Sequence, residues 1–138
     1  MSNDRPYSDA LSRLRAAGLR PTRQRKALAK LLFDGDCCHV TAEMLRAEAM
    51  EAKIAVSLAT VYNTLHQFTT AGLLREIVVD SHRSYFDTNI GDHHHFYFED
   101  TKQLEDIPGE HVTVTGLPAP PNNARITSID VIVRVEAK

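Results

Sequence analysis

The chain has 138 residues, 43% of them hydrophobic and 25% charged, with a formal net charge of −2. That length holds one ordinary domain or two small ones, and the composition is globular rather than disordered. No apolar run approaches the ~20 residues that span a bilayer, and the opening MSNDRPYSDA lacks the apolar core of a secretory leader, so no membrane partner and a cytoplasmic location are expected.

The first 72 residues read as helices with clear punctuation. Ser8 is expected to cap a helix over about 9–17 that stops at Gly18. Pro21-Thr22 opens a second helix, with Ala27, Leu28, Leu31 and Leu32 as its apolar set and Asp34-Gly35-Asp36 as its end. Thr41 caps a third, with Met44, Leu45 and Ala49 as its buried stripe. Ser57 caps a fourth that closes at Gly72. Here Leu58, Val61, Leu65 and Phe68 share one face.

After Gly72 the period changes. Residues 73–79 and 82–86 are strand-like runs around the turn Asp80-Ser81. Helices followed by a hairpin give the order of a winged helix. The remainder predicts strands over 95–99, 111–115 and 125–135, with a proline-rich loop at 117–123. The fold class is therefore α+β: an N-terminal winged-helix DNA-binding domain over 1–84 and a small β-rich domain over 85–138. A sheet of about three strands is too small to be comfortable alone, so the second domain is expected to pair with a second copy.

Charge divides along the same line. Residues 1–84 carry 12 basic and 9 acidic side chains, and residues 85–138 carry 4 and 9. A solvated helical surface accounts for such a bias as well as a phosphate-facing end does. The exposed face of the fourth helix sharpens the second reading. Small residues at Ser57, Ala59 and Thr60 permit close approach to a major groove. Tyr62 suits a thymine methyl or a phosphate, and Asn63 suits adenine. Arg15, Arg20, Arg23, Arg25 and Lys26 would flank the groove.

The second chemistry-bearing stretch is Asp92-His93-His94-His95, with Asp87 before it and Asp106 after it. Imidazole and carboxylate together suit a borderline divalent ion such as Zn²⁺, Fe²⁺ or Mn²⁺. On a strand, His93 and His95 point one way and His94 the other. His66 and His82 read as surface or phosphate-facing residues and His111 as no ligand. The adjacent Cys37 and Cys38 are the only cysteines, form no disulfide framework and read as packing residues. A metal-dependent hydrolase would need a general acid or base and a substrate pocket beside the ligands, and nothing in the sequence supplies them. A metal carrier would leave the basic helices without a purpose.

Three segments together, Gly18-Leu19-Arg20-Pro21-Thr22-Arg23-Gln24-Arg25, His39-Val40-Thr41-Ala42-Glu43 and Ser57-Leu58-Ala59-Thr60-Val61-Tyr62-Asn63-Thr64-Leu65, resemble the ferric uptake regulator superfamily from about residue 8 to residue 106. The resemblance implies a dimeric DNA-binding transcription regulator, mainly a repressor, and not an enzyme. It implies contacts to a double-stranded operator from Arg15, Arg20, Ser57, Thr60, Tyr62 and Asn63. Asn63 departs from the arginine common at that position. It also implies a regulatory divalent ion held by His39, Asp87, His93, His95 and Asp106.

Two departures narrow the resemblance. The family's first C-x-x-C pair would fall at Phe98 and Thr101, and no cysteine follows Cys38, so the structural zinc site is absent. With the triple histidine and shortened C-terminal half, the chain resembles the iron response regulator branch. That branch acts when iron is scarce and loses activity on meeting haem. Neither cysteine precedes a proline, so His93, His94 and His95 are the implied haem ligands. The alternative is a zinc- or manganese-sensing repressor of the same family without a haem response.

Overall fold

The computed structural model describes residues 8–34 and 39–138. They form two compact units that divide between Ile90 and Gly91. The expected boundary lay six residues earlier. Tyr85, Phe86 and Asp87 complete a hairpin strand of the first unit and are buried in it, which carries the division past them.

The first unit runs α1 (Ser8–Ala16), α2 (Arg23–Phe33), β1 (His39–Val40), α3 (Ala42–Glu51), α4 (Leu58–Thr70), β2 (Arg75–Asp80) and β3 (Arg83–Asp87). Three helix starts are fixed by side-chain caps. Thr22 Oγ1 accepts from Arg25 N–H, Thr41 Oγ1 from Met44 N–H and Ser57 Oγ from Thr60 N–H, at 3.1–3.2 Å. Each such cap contributes about 1 kcal/mol. Gly18 and Gly72 close α1 and α4 in the left-handed region, with φ of +77° and +83°. There Leu19 N–H reaches back to Leu14 O and Leu73 N–H to Phe68 O. The first helix starts at Ser8 itself, one residue before the expected start, and the turn at Gly35-Asp36 and the packing of Cys37 and Cys38 lie outside the described residues.

The core of this unit joins Leu14, Leu28, Leu32, Leu45, Val61, Leu65, Phe68 and Phe86. Met44 corrects the expected stripe: it is exposed, and Ala42, Leu45 and Ala49 are the buried positions of α3. In α4, Thr64 joins Val61, Leu65 and Phe68 on the buried face. The sheet order is β1-β3-β2, all antiparallel, and the two-residue β1 pairs with the far edge of the hairpin. Helices followed by such a hairpin make a winged helix.

The second unit contains β4 (His93–Phe98), β5 (Gln103–Pro108), a 3₁₀ turn (Gly109–His111) and β6 (Ile132–Val135), in the order β5-β4-β6. The pair β4–β5 is antiparallel and β4–β6 parallel. Two expected strands are corrected here. Residues 111–115 form no strand, because the 3₁₀ turn leads into an exposed extended segment. The last strand is four residues long, since 125–130 are exposed and only Ile132 onward reaches β4. The Leu117–Asn123 stretch forms no helix, as its prolines require. None of the described helices is long and apolar enough to cross a membrane.

Candidate metal centre and nucleic-acid interface

In the first unit, the β1–β3 ladder sets His39 opposite Asp87. His39 Nε2 lies 3.2 Å from Asp87 Oδ2. Asp87 is fully buried, and its other oxygen accepts the backbone N–H of Asn89 at 2.9 Å. A buried carboxylate is tolerated only with such partners.

In the second unit, β4 alternates as expected. His93 and His95 are buried and His94 is half-buried. The β4–β5 register sets Asp106 opposite His95. Asp106 Oδ1 lies 3.3 Å from His95 Nε2 and 3.5 Å from His93 Nε2, and the two rings meet edge to face at 4.6 Å. His93 Nδ1 is 2.6 Å from Gly91 O. A carbonyl only accepts, so Nδ1 carries the proton, and in the neutral ring the Nε2 lone pair faces Asp106. A lone pair opposite a carboxylate needs a cation or a proton between them. The spacing also fits a chelate: bonds of about 2.0–2.1 Å to a tetrahedral ion set ligands roughly 3.4 Å apart. The Nδ1 bond to a backbone carbonyl is the support that orients histidines bound to metals. Each of the five residues offers one ligand atom, an imidazole nitrogen or a carboxylate oxygen.

His94 stands apart from this set. Its Nδ1 accepts Val131 N–H at 3.1 Å, tying β4 to the residue before β6. It lines an open groove of about 720 Å³ with Asp92, Glu110, Val112, Ile126 and Ile129. His111 lies with Asp106 along a second groove on this unit. The family's cysteine positions, Phe98 and Thr101, fall at the end of β4 and in the turn after it.

On α4, Ser57, Ala59, Tyr62, Asn63 and Gln67 are exposed and Thr60 is half-exposed. Arg15 and Arg20 are exposed on and after α1. Arg25, expected among the residues flanking the groove, is committed within the unit. Its Nε and Nη2 both donate to Gln67 Oε1, and Nη1 donates to Arg20 O at 2.9 Å. The Tyr62 hydroxyl donates to Glu43 Oε2 at 3.3 Å. Burial first, then the Glu43 charge and hydrogen bond, push the phenol above its ordinary pKa, so Tyr62 stays a neutral donor. Sequence reasoning passed over Glu43; its place in the first turn of α3 was legible, but its meeting with Tyr62 depends on how two helices cross.

The model of the ferric uptake regulator family matches residues 16–133. Among curated proteins, the peroxide-responsive repressor of Staphylococcus epidermidis is 32% identical over 107 residues, covering 77% of this chain and 70% of that protein. The ferric uptake regulator of Pseudomonas aeruginosa, solved with manganese, aligns with a TM-score of 0.69 at 26% identity, covering 94% of this chain and 98% of that one. The ferric uptake regulator of Vibrio cholerae shares the fold, with a TM-score of 0.71 at 21% identity over 91% of this chain and 98% of that one.

Proposed function

This chain belongs to the ferric uptake regulator family of metal-responsive transcriptional regulators, and from that premise we propose that it is an iron-responsive repressor of genes for iron and haem metabolism. In this reading the unit ending at Ile90 reads DNA and the unit from Gly91 dimerises and senses metal. Two copies read an AT-rich, roughly palindromic operator in the cytoplasm, because identical heads need symmetric half-sites. Arg15 and Arg20 meet phosphates, while Ser57, Thr60, Tyr62 and Asn63 meet the groove.

In this reading His39, Asp87, His93, His95 and Asp106 would hold one divalent ion. When bound, the ion would supply a positive centre for these imidazoles and carboxylates. Binding would favour the conformation in which these ligands are in place, and so couple metal occupancy to DNA binding. The observation that carries this reading is Asp106, which faces two imidazole nitrogens at 3.3 and 3.5 Å while the Nδ1 proton of His93 is fixed on Gly91 O.

Haem is the second effector in this reading, with His93, His94 and His95 as its ligand run and weakened DNA binding as its effect. His94 is the member that faces a groove. Its Nδ1 accepts from Val131, so in the neutral ring Nε2 carries the proton. As a haem ligand His94 would have to offer the Nε2 lone pair, which the tautomer fixed by Val131 does not present. The same commitment of His94 favours the alternative, a zinc- or manganese-sensing repressor without a haem response.

Titration of the purified protein with haem, read by the Soret band and by fluorescence anisotropy on an operator duplex, separates the two readings. The haem-responsive reading expects imidazole-type spectra and loss of DNA binding, both abolished when His93, His94 and His95 are replaced together. Haem that leaves operator binding unchanged, with Zn²⁺ or Mn²⁺ sufficient for it, establishes the alternative.

A further inference from the structure

Tyr62 is held at both ends. Its hydroxyl donates to Glu43, on the neighbouring helix. Its ring stacks on His66 at 6.4 Å with planes 16° apart, and His66 in turn meets the buried Phe86 edge-on at 5.6 Å. A phenol has one proton to donate. While the hydroxyl donates that proton to Glu43 Oε2, it is not available to a phosphate oxygen, and the carboxylate beside it repels the same phosphate. The exposed part that remains is the ring, which suits an apolar contact with a thymine methyl.

Glu43 stands among side chains that would face DNA, where a negative charge weakens binding to every sequence. If the hydroxyl-to-phosphate and ring-to-methyl contacts exclude each other, denying the first weakens wrong sites, which lack the methyl, more than right ones, and so raises the difference between them. We propose that Glu43 is a positioning residue for operator specificity: by accepting the Tyr62 hydroxyl it denies that hydroxyl to the phosphate backbone and commits the Tyr62 ring to a thymine 5-methyl group. The proposal rests on the operator-binding reading above.

The test uses the full-length protein loaded with Mn²⁺ and three duplexes of one length. The first is selected by the wild type from a random pool, the second replaces single thymines of it with deoxyuridine, and the third is of scrambled sequence. At the contacted thymine, loss of the methyl should weaken wild-type binding about fourfold, the worth of one methyl group removed from water. Glu43→Ala should lower that penalty to under about twofold and tighten binding to the scrambled duplex. Glu43→Gln, which keeps an acceptor, should keep the methyl penalty. Adding Tyr62→Phe to Glu43→Ala should cut the gain on the scrambled duplex back to that of Glu43→Gln, which reports the lost charge alone, because the excess comes from the freed hydroxyl.

A Glu43→Ala protein with the full wild-type methyl penalty overturns the proposal. So does a scrambled-duplex gain in Glu43→Ala that is no larger than that of Glu43→Gln, or that Tyr62→Phe leaves undiminished, since it would report charge alone. A wild type that selects a duplex but ignores every thymine methyl overturns this proposal and leaves operator binding standing. A wild type that selects no duplex overturns the operator-binding reading, and this proposal falls with it.

Discussion

His39 and Asp87 meet across the β1–β3 ladder with Nε2 3.2 Å from Oδ2, and this contact explains a strand only two residues long. So short a strand contributes little ladder energy. Its effect is to set one imidazole against a fully buried carboxylate at the end of the hairpin. The pair makes the expected effect of Asp87→Asn specific. The amide oxygen still accepts from Asn89 N–H, so the metal-free variant should fold and lose about 0.5–1.5 kcal/mol, the worth of the altered contact with His39. Wild type should be stabilised by about 2.7 kcal/mol at Mn²⁺ a hundred times its dissociation constant, and the variant far less. Equal thermal shifts with Mn²⁺ in differential scanning calorimetry would remove Asp87 from the ligand set.

The histidines of β4 should separate by face. His93→Ala with His95→Ala should lower bound metal, measured by elemental analysis after dialysis, while the first unit keeps its helical circular dichroism. That unit's core is built from Leu14, Leu28, Leu45, Val61 and Phe68, none of which is on β4. His94→Ala should leave metal content intact, because His94 is turned toward Val131. Metal loss in His94→Ala equal to that of the double variant would contradict this division.

The helical half was legible because its signals are local. A cap, an apolar stripe and a closing glycine lie within one segment, and Thr22, Thr41, Ser57, Gly18 and Gly72 do what their positions imply. The alternation His93-His94-His95 was legible for the same reason. What sequence concealed depends on partners. Strand β5, QLEDIP, has only Ile107 fully buried and no alternating pattern, so pairing with β4 makes it a strand. The stretch 125–130 has a strand-like composition but pairs with no strand among the described residues. Asp106 was legible as a candidate ligand from its chemistry and from the family resemblance, but its approach to two imidazoles comes from the β4–β5 register.

The dimer expectation has a surface to act on. Val114, Leu117, Ile126, Ile129 and Val133 are exposed in the second unit. Apolar residues in such number on a small unit mark an interaction face. Ile129→Asp with Val133→Asp should shift the protein toward monomer in sedimentation velocity and weaken operator binding at least tenfold, since one head holds half a site. A double variant that remains dimeric at micromolar concentration would place the interface elsewhere.

The arginines should divide by salt dependence. Arg15 and Arg20 are exposed, and changing either to alanine should reduce the slope of log affinity against log salt by about 0.9 for each phosphate the side chain neutralises. Arg25→Ala should leave the slope unchanged and destabilise the fold by about 1 kcal/mol, because its donors are given to Gln67 and to Arg20 O. A slope reduction in Arg25→Ala equal to that of Arg20→Ala would return Arg25 to the phosphate-binding set.

Lys53 ends α3 in the conformation that Gly18 and Gly72 adopt after α1 and α4. Its φ is +61°, Lys53 N–H donates to Met50 O, and Ile54 N–H donates to Ala49 O at 2.8 Å. A side chain at that position costs roughly 1–2 kcal/mol through the clash of Cβ with the carbonyl that follows. Glycine removes the clash but adds roughly 0.5–1 kcal/mol of chain entropy to the unfolded state. The first effect outweighs the second, and Lys53 is exposed, so no packing is lost. Lys53→Gly should therefore raise stability by about 0.5–1 kcal/mol in urea denaturation followed by circular dichroism, with an unchanged m-value. A lower midpoint would mean that Lys53 makes a stabilising interaction outweighing its backbone strain.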